Sequence, residues 1–224
     1  MKLYPIQCGN FKLDGGAMFG VVPKSLWERT NPADSKNLIE LGTRSLLVED
    51  GKKLILIDCG LGNKQDEKFF GHYSLYGDES LDKNLKKFGF VREDITDVFL
   101  THLHFDHCGG AIEWNDEKTG YKPAFKNAQF WTNENHWQWA TEPNPREKAS
   151  FLKENILPMQ ESGQLQFLPT PKTGNYGFAP DLKMDIIFVD GHTEKQMLPV
   201  IQYQEKTIVF AADFIPTAGH IPQV

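Results

Sequence analysis

Apolar residues in this chain fall into short blocks bounded by turn formers, and the blocks predict two similar halves. In the first, Arg44–Glu49 and Lys53–Ile57 flank Asp50-Gly51, a dipeptide that favours a tight hairpin. In the second, Leu198–Tyr203 and Thr207–Ala211 flank Gln204-Glu205-Lys206 and predict a looser hairpin. Met184–Val189 predicts a further strand, and Asp97–Leu100 a short buried one. Leu81, Leu85 and Phe88 recur at helical spacing, with Lys83, Lys86 and Lys87 facing elsewhere. Further helices are expected over Asn133–Ala140 and Arg146–Leu157. Paired strands with helices between them fit an α/β (α+β) chain folded as an αββα sandwich, two sheets face to face with helices outside. No linker or short repeat divides residues 1–224, so one domain is expected.

Composition narrows the class. The apolar share of 40% suffices for a substantial core. A net charge of −6 argues against a nucleic-acid partner, which favours a basic surface. No apolar run approaches the length of a membrane span, and Met1–Gln7 is too short and polar for a secretory core. Cys8, Cys59 and Cys108 are odd in number and widely spaced, so reduced thiols in a cytoplasmic protein are the simplest account.

Chemistry concentrates in residues 101–110, Thr-His-Leu-His-Phe-Asp-His-Cys-Gly-Gly, directly after the apolar run Val98-Phe99-Leu100. Three of the chain's seven histidines lie here. On an extended segment His102 and His104 point to one side, about 7 Å apart at Cα, and two rings can converge on one ion. A turn near Asp106 then sends Asp106 and His107 towards a neighbouring ion. Neutral imidazoles and carboxylates are ligands that zinc accepts. A histidine-rich polar loop is the plain alternative, and the density of ligands favours a metal site over it.

The run His-x-His-x-Asp-His resembles the signature of the metallo-β-lactamase-fold hydrolases. Three more segments resemble that family, in its order. Leu54–Gly60 is similar to its early strand ending in Asp-x-Gly, Val189–Thr193 to its Gly-His-Thr element, and Phe210–Asp213 to the strand ending in a metal-bridging Asp. The nearest branch is the lactonase and organophosphate-hydrolase-like one. The resemblance implies an αββα sandwich of metallo-β-lactamase type with two zinc ions, iron or manganese being alternatives. It gives His102, His104 and His192 to the first ion and Asp106 and His107 to the second, with Asp213 bridging. A water shared by the ions then attacks a small ester, lactone or phosphotriester. Asp106 orients the nucleophile and passes a proton to the leaving group. Asp58 fixes a ligating histidine from behind.

Three departures from the family pattern stand out. Glu194-Lys195 follows His192-Thr193 where many relatives have Pro-Gly, which alters a loop without removing a ligand. Pro216 stands where similar acyl-homoserine lactonases carry a Tyr that assists catalysis. Family members also continue with another strand and helix and a last metal-binding His, whereas residues 214–224 alone follow Asp213, so the chain reads as shortened at its C-terminus. His220 is the candidate replacement ligand or a pocket residue.

Outside these motifs, Gly15–Lys24 is read as a mobile turn whose Met18, Phe19 and Val21 form a substrate-pocket wall, an ordinary hairpin packing into the core being the alternative. Phe130, Trp131, His136, Trp137 and Trp139 read as packing, and His72 and His136 as surface or hydrogen-bonded histidines. The partner expected is a small-molecule substrate, with self-association where lost C-terminal coverage exposes apolar surface. Two other functions fit the same ligands: iron-dependent oxygenation, and a catalytically impaired protein that keeps one metal.

Overall fold

The computed structural model describes residues 1–172 and 176–221. From the N-terminus, β1 (Lys2–Asp14) leads through the short helices α1 (Gly15–Phe19) and α2 (Lys24–Trp27) into β2 (Leu38–Asp50) and β3 (Lys53–Ile57). Two helices, α3 (Glu67–Gly71) and α4 (Leu81–Lys87), precede β4 (Asp97–Phe99) and the four-residue helix α5 (Phe105–Cys108). The middle of the chain forms β5 (Ile112–Trp114), β6 (Tyr121–Pro123), β7 (Gln129–Asn133), α6 (Glu134–Thr141), α7 (Lys153–Glu161) and β8 (Leu165–Leu168). Then follow β9 (Tyr176–Ala179), β10 (Met184–Val189), β11 (Gln196–Tyr203) and β12 (Lys206–Val209).

Six strands make the first sheet in the order β1-β2-β3-β4-β7-β8, and four make the second in the order β12-β11-β10-β9. In the first sheet β1, β2 and β3 are antiparallel, while β3, β4, β7 and β8 run parallel. Both faces of its central strands are buried, which explains their unbroken apolar runs. Leu47, Leu56, Val98 and Phe130 point to the helical side and join Leu85, Trp137, Ile156 and Met159. Their neighbours Val48, Ile57, Phe99 and Trp131 point the other way and meet Met184, Ile186, Phe188 and Met197 of the second sheet. Each such side chain contributes about 1.5–3 kcal/mol by leaving water, so the sheet-to-sheet seam is fixed strongly at the strand ends that carry the histidine segment. Among the described residues no helix is long and apolar enough to cross a membrane.

The β2–β3 hairpin forms on Gly51-Lys52, with Gly51 at φ +63° as the first turn residue. The β11–β12 hairpin is tighter than its sequence suggests. Tyr203 pairs with Lys206, and Gln204 and Glu205 both take positive φ without glycine's help. Helix α4 follows its spacing: Ser80 caps it, Leu81 and Leu85 are buried, and Phe88, just past its end, rests half-exposed on Tyr4.

Two elements depart from the sequence reading. Gly15–Lys24, read as a turn with a hairpin as the alternative, is helical at both ends: the Asp14 carboxylate accepts from the Ala17 N–H and starts α1, and α2 begins at Lys24. The expected helix over Arg146–Leu157 begins later, at Lys153, after a 3-10 turn at Lys148–Ser150. It also continues through Pro158, because a proline removes only one helical hydrogen bond while Ile156 and Met159 stay buried.

The loop after β3 and the segment after β4 touch through their backbones. Gly110 donates its N–H to the Gly60 carbonyl, and a Cβ at Gly110 would overlap the Cys59 carbonyl oxygen. Gly110→Ala is expected to destabilise the fold by about 3 kcal/mol and lower the thermal midpoint by roughly 6–12 °C, because the obstacle is backbone that cannot rotate away. A midpoint within about 1 °C of the parent chain in a thermal unfolding scan would refute this close approach.

Candidate metal centre

Strand β4 ends in the middle of the first sheet, and residues 101–104 lead from it to α5, with His104 extended at its N-cap. The same edge receives Asp58 after β3, His192 after β10 and Asp213 after β12. Thus His102, His104, Asp106, His107, His192 and Asp213 come together, with Asp58 beneath them. Two groups have their ligand atoms mutually within 4.8 Å: His102, His104 and His192, and His102, His107 and Asp213.

Hydrogen bonds set the ring tautomers. Asp58 accepts from the Thr101 N–H (2.9 Å) and, at Oδ2, from the Thr101 hydroxyl (2.8 Å). A hydroxyl that donates there can only accept from His102 Nδ1, 3.1 Å away, so that nitrogen carries the proton. His102 Nε2 is left as a bare lone pair, buried and with no hydrogen-bond partner. Asp58 Oδ2 also takes the Nδ1 proton of His107 at 2.8 Å. One carboxylate therefore aims two rings, and it does so at φ +57°, a conformation an aspartate tolerates better than most residues.

The remaining geometry is direct. His104 Nδ1 and His192 Nε2 face each other at 3.0 Å. The two oxygens of Asp213 diverge, Oδ1 to His107 Nε2 (3.1 Å) and Oδ2 to His192 Nε2 (3.4 Å). Asp106 Oδ2 lies 3.6 Å from His107 Nε2. Burial, reinforced by the neighbouring rings, holds His102 well below the usual histidine range and pushes His104 down to about 2. Burial also pushes Asp106 up to about 6. For His107 burial opposes the charge, yet the carboxylates of Asp213, Asp106 and Asp58 raise it well above the usual range. Burial likewise opposes charge on Asp213, and His107 outweighs it and holds the carboxyl low. Neutral buried rings, an orphaned ring nitrogen and three carboxylates around one imidazole form a donor set that a divalent cation would satisfy.

Several supporting residues carry no motif in the sequence. His136 is buried: its Nδ1 donates to the Glu194 carbonyl (2.6 Å) and its Nε2 accepts from the Leu103 N–H (2.9 Å), joining the two histidine segments. Lys64 is buried beneath α5 and donates to the carbonyls of Gly109 and Ile112, and burial pushes its ammonium down to about 8. Glu147 reaches in from the segment before the 3-10 turn, with Oε2 3.8 Å from His104 Nε2. Lys195 stands at φ +49°, where glycine is favoured, and is held by Asp190 through its N–H and its ammonium. His192 thus keeps its place despite Glu194-Lys195.

A cleft of about 320 Å³ opens over Asp58, Asp106, His107 and Asp213. Its apolar wall includes Phe11, Leu13, Met18, Leu41, Ile215 and Pro216, and Arg44 also lines it. Of the three expected wall residues only Met18 faces this space. Phe19, the last residue of helix α1, is buried and stacked on Trp27 at 5.2 Å, and Val21, in the turn after that helix, points fully into solvent. His220 joins neither ligand group. Its Nε2 donates to the Met18 carbonyl (3.0 Å), its Nδ1 bonds the Thr217 hydroxyl (2.9 Å), and its ring stacks on Phe19, so both nitrogens are occupied. His72 is exposed.

Known proteins share this fold. A probable metal-dependent hydrolase from Staphylococcus aureus has a crystal structure that superposes with a TM-score of 0.85 at 29% identity, over 98% of this chain and 75% of that one. An N-acyl homoserine lactonase of Bacillus cereus is 22% identical over 218 residues, covering 93% of this chain and 73% of the relative. The dizinc quorum-quenching lactonase AidC shares the fold, with a TM-score of 0.66 at 23% identity over 95% of this chain and 71% of its own. The model of the metallo-beta-lactamase superfamily matches residues 38–223, and the chain belongs to that superfamily.

Proposed function

We propose that this chain is a metal-dependent hydrolase acting on a small ester, lactone or phosphotriester. The observation that carries the reading is Asp213, whose two oxygens separately face His107 and His192 between two clusters of ring nitrogens. By this reading His102, His104 and His192 would hold one zinc ion and Asp106 and His107 a second, with Asp213 shared. Bound divalent cations supply Lewis acidity and an activated water.

The chain's own residues supply position and a proton path. Asp106 and Asp213 line the cleft floor, where a carboxylate can orient a water and return its proton to a departing oxygen. The apolar wall of Phe11, Leu13, Met18 and Leu41 accepts an acyl or alkyl group. Arg44 lines the same cleft, and its guanidinium favours a substrate bearing a carboxylate or phosphoryl oxygen. Pro216 on the wall offers no hydroxyl, so a proton for the leaving group falls to Asp106.

Elemental analysis of protein purified without added metal, followed by a panel of lactones, aryl esters and phosphotriesters, tests the reading. About two equivalents of zinc with hydrolysis of at least one class is expected. Iron with substrate-dependent oxygen uptake, or a chain that takes up no metal, would overturn it.

A further inference from the structure

We propose that Glu147 is a positioning residue for the metal centre: it accepts a hydrogen bond from the outer N–H of His104 and, through Thr193, steadies the turn that carries His192. The inference rests on the metal reading above and adds a residue that none of the four family motifs contains.

A ring that offers Nδ1 to a cation must carry its proton on Nε2. In His104 that atom points away from His192, is buried, and has no hydrogen-bond partner. A buried N–H needs an acceptor. The carboxylate oxygen within 4 Å of it is Glu147 Oε2, at 3.8 Å, and a movement of about 1 Å closes a hydrogen bond. The neighbouring rings show the same design already closed: His107 Nδ1 is held by Asp58, and His102 Nδ1 by Thr101, itself held by Asp58. Glu147 completes for His104 what Asp58 does for the other two.

Glu147 is itself built into place. Asn144 accepts from the N–H groups of Arg146 and Glu147 and folds the segment inward. Glu147 Oε2 accepts from the Thr193 hydroxyl (2.8 Å) and the Trp139 indole (3.0 Å), and its side chain keeps 14% exposure. Thr193 follows His192 directly, so the same oxygen ties together the two histidines whose nitrogens face each other at 3.0 Å. A carboxylate behind a ligating imidazole raises its basicity and fixes its orientation.

The test is Zn2+ titration against a competing chelator, with Co2+ absorption spectra and the thermal midpoint of the metal-free protein as companion readouts. Glu147→Gln keeps an acceptor for Thr193 and Trp139 and removes the charge. The expected result is a first metal equivalent bound about 10–100-fold more weakly, an altered Co2+ spectrum for that equivalent, an unchanged second equivalent and an unchanged midpoint. Thr193→Val, which leaves Glu147 in place but loosens it, gives a smaller loss in the same equivalent. First-equivalent affinity equal to the parent chain in both variants overturns the proposal while leaving the metal reading intact. A parent chain that binds neither Zn2+ nor Co2+ overturns the metal reading itself.

Discussion

His104→Ala is expected to abolish turnover and to strip the first metal equivalent. The buried ring of this residue stays neutral, since burial pushes its pKa down to about 2, and it faces His192 at 3.0 Å with Phe151 packed against it at 4.7 Å. Alanine leaves His102 and His192 as an incomplete pair. Losing the charge stabilisation a metal supplies, worth several kcal/mol, lowers turnover at least about a thousandfold. The fold survives, because the strands beneath are held by the seam between the sheets rather than by this ring. His72→Ala is the control, an exposed histidine whose loss leaves metal content and rate unchanged. Metal analysis and initial rates on the two variants check the pair. Full metal content and full activity in His104→Ala would sink the ligand set.

The ligand segments were legible because each sits within a few residues of a strand end, where chemistry and local pattern coincide. What lay between them was not. Strand β1 pairs with β2 over most of its length, yet Pro5 and a bulge between Gln7 and Gly9 break the alternation that would announce it. Asp14 was readable as a helix cap in principle, but the Gly15-Gly16 pair after it suggests a turn more strongly, and Val21 was misplaced with it. His220 lies seven residues past Asp213, a spacing that carries no direction. Two intervening 3-10 turns, Ala212–Phe214 and Ala218–His220, take it to Met18 instead. Glu147, Lys64 and His136 act only through tertiary contacts with distant segments, and no local period marks such residues. The short buried strand over Asp97–Leu100, by contrast, follows from its apolar run, since Val98 and Phe99 are buried on opposite faces of the sheet.

Asp58→Asn is expected to leave a folded protein that binds both metal equivalents weakly. Asparagine matches the volume of aspartate and tolerates φ +57°, so the turn after β3 is kept. The change acts through protons. Oδ2 of Asp58 receives two of them, from the Thr101 hydroxyl and from His107 Nδ1, while Oδ1 receives the Thr101 N–H. With an amide NH2 in the Oδ2 position, the Thr101 hydroxyl turns to donate to His102 Nδ1, and the proton of His102 moves to Nε2, the lone pair meant for a metal. His107 Nδ1 meets a donor as well, which drives its proton to Nε2, the atom facing Asp213. The opposite amide orientation sets NH2 against the Thr101 N–H and leaves that donor unsatisfied. Either arrangement costs about 1–3 kcal/mol of stability, and the first, which turns both tautomers, lowers metal affinity at both positions by about 10–100-fold. Chelator-competition titration with chemical unfolding separates the two effects. The contrast with Glu147→Gln, which weakens the first equivalent alone, is the sharper check. If Asp58→Asn also weakened one equivalent only, the relay through Thr101 to His102 would be wrong, and Asp58 would serve His107 by itself.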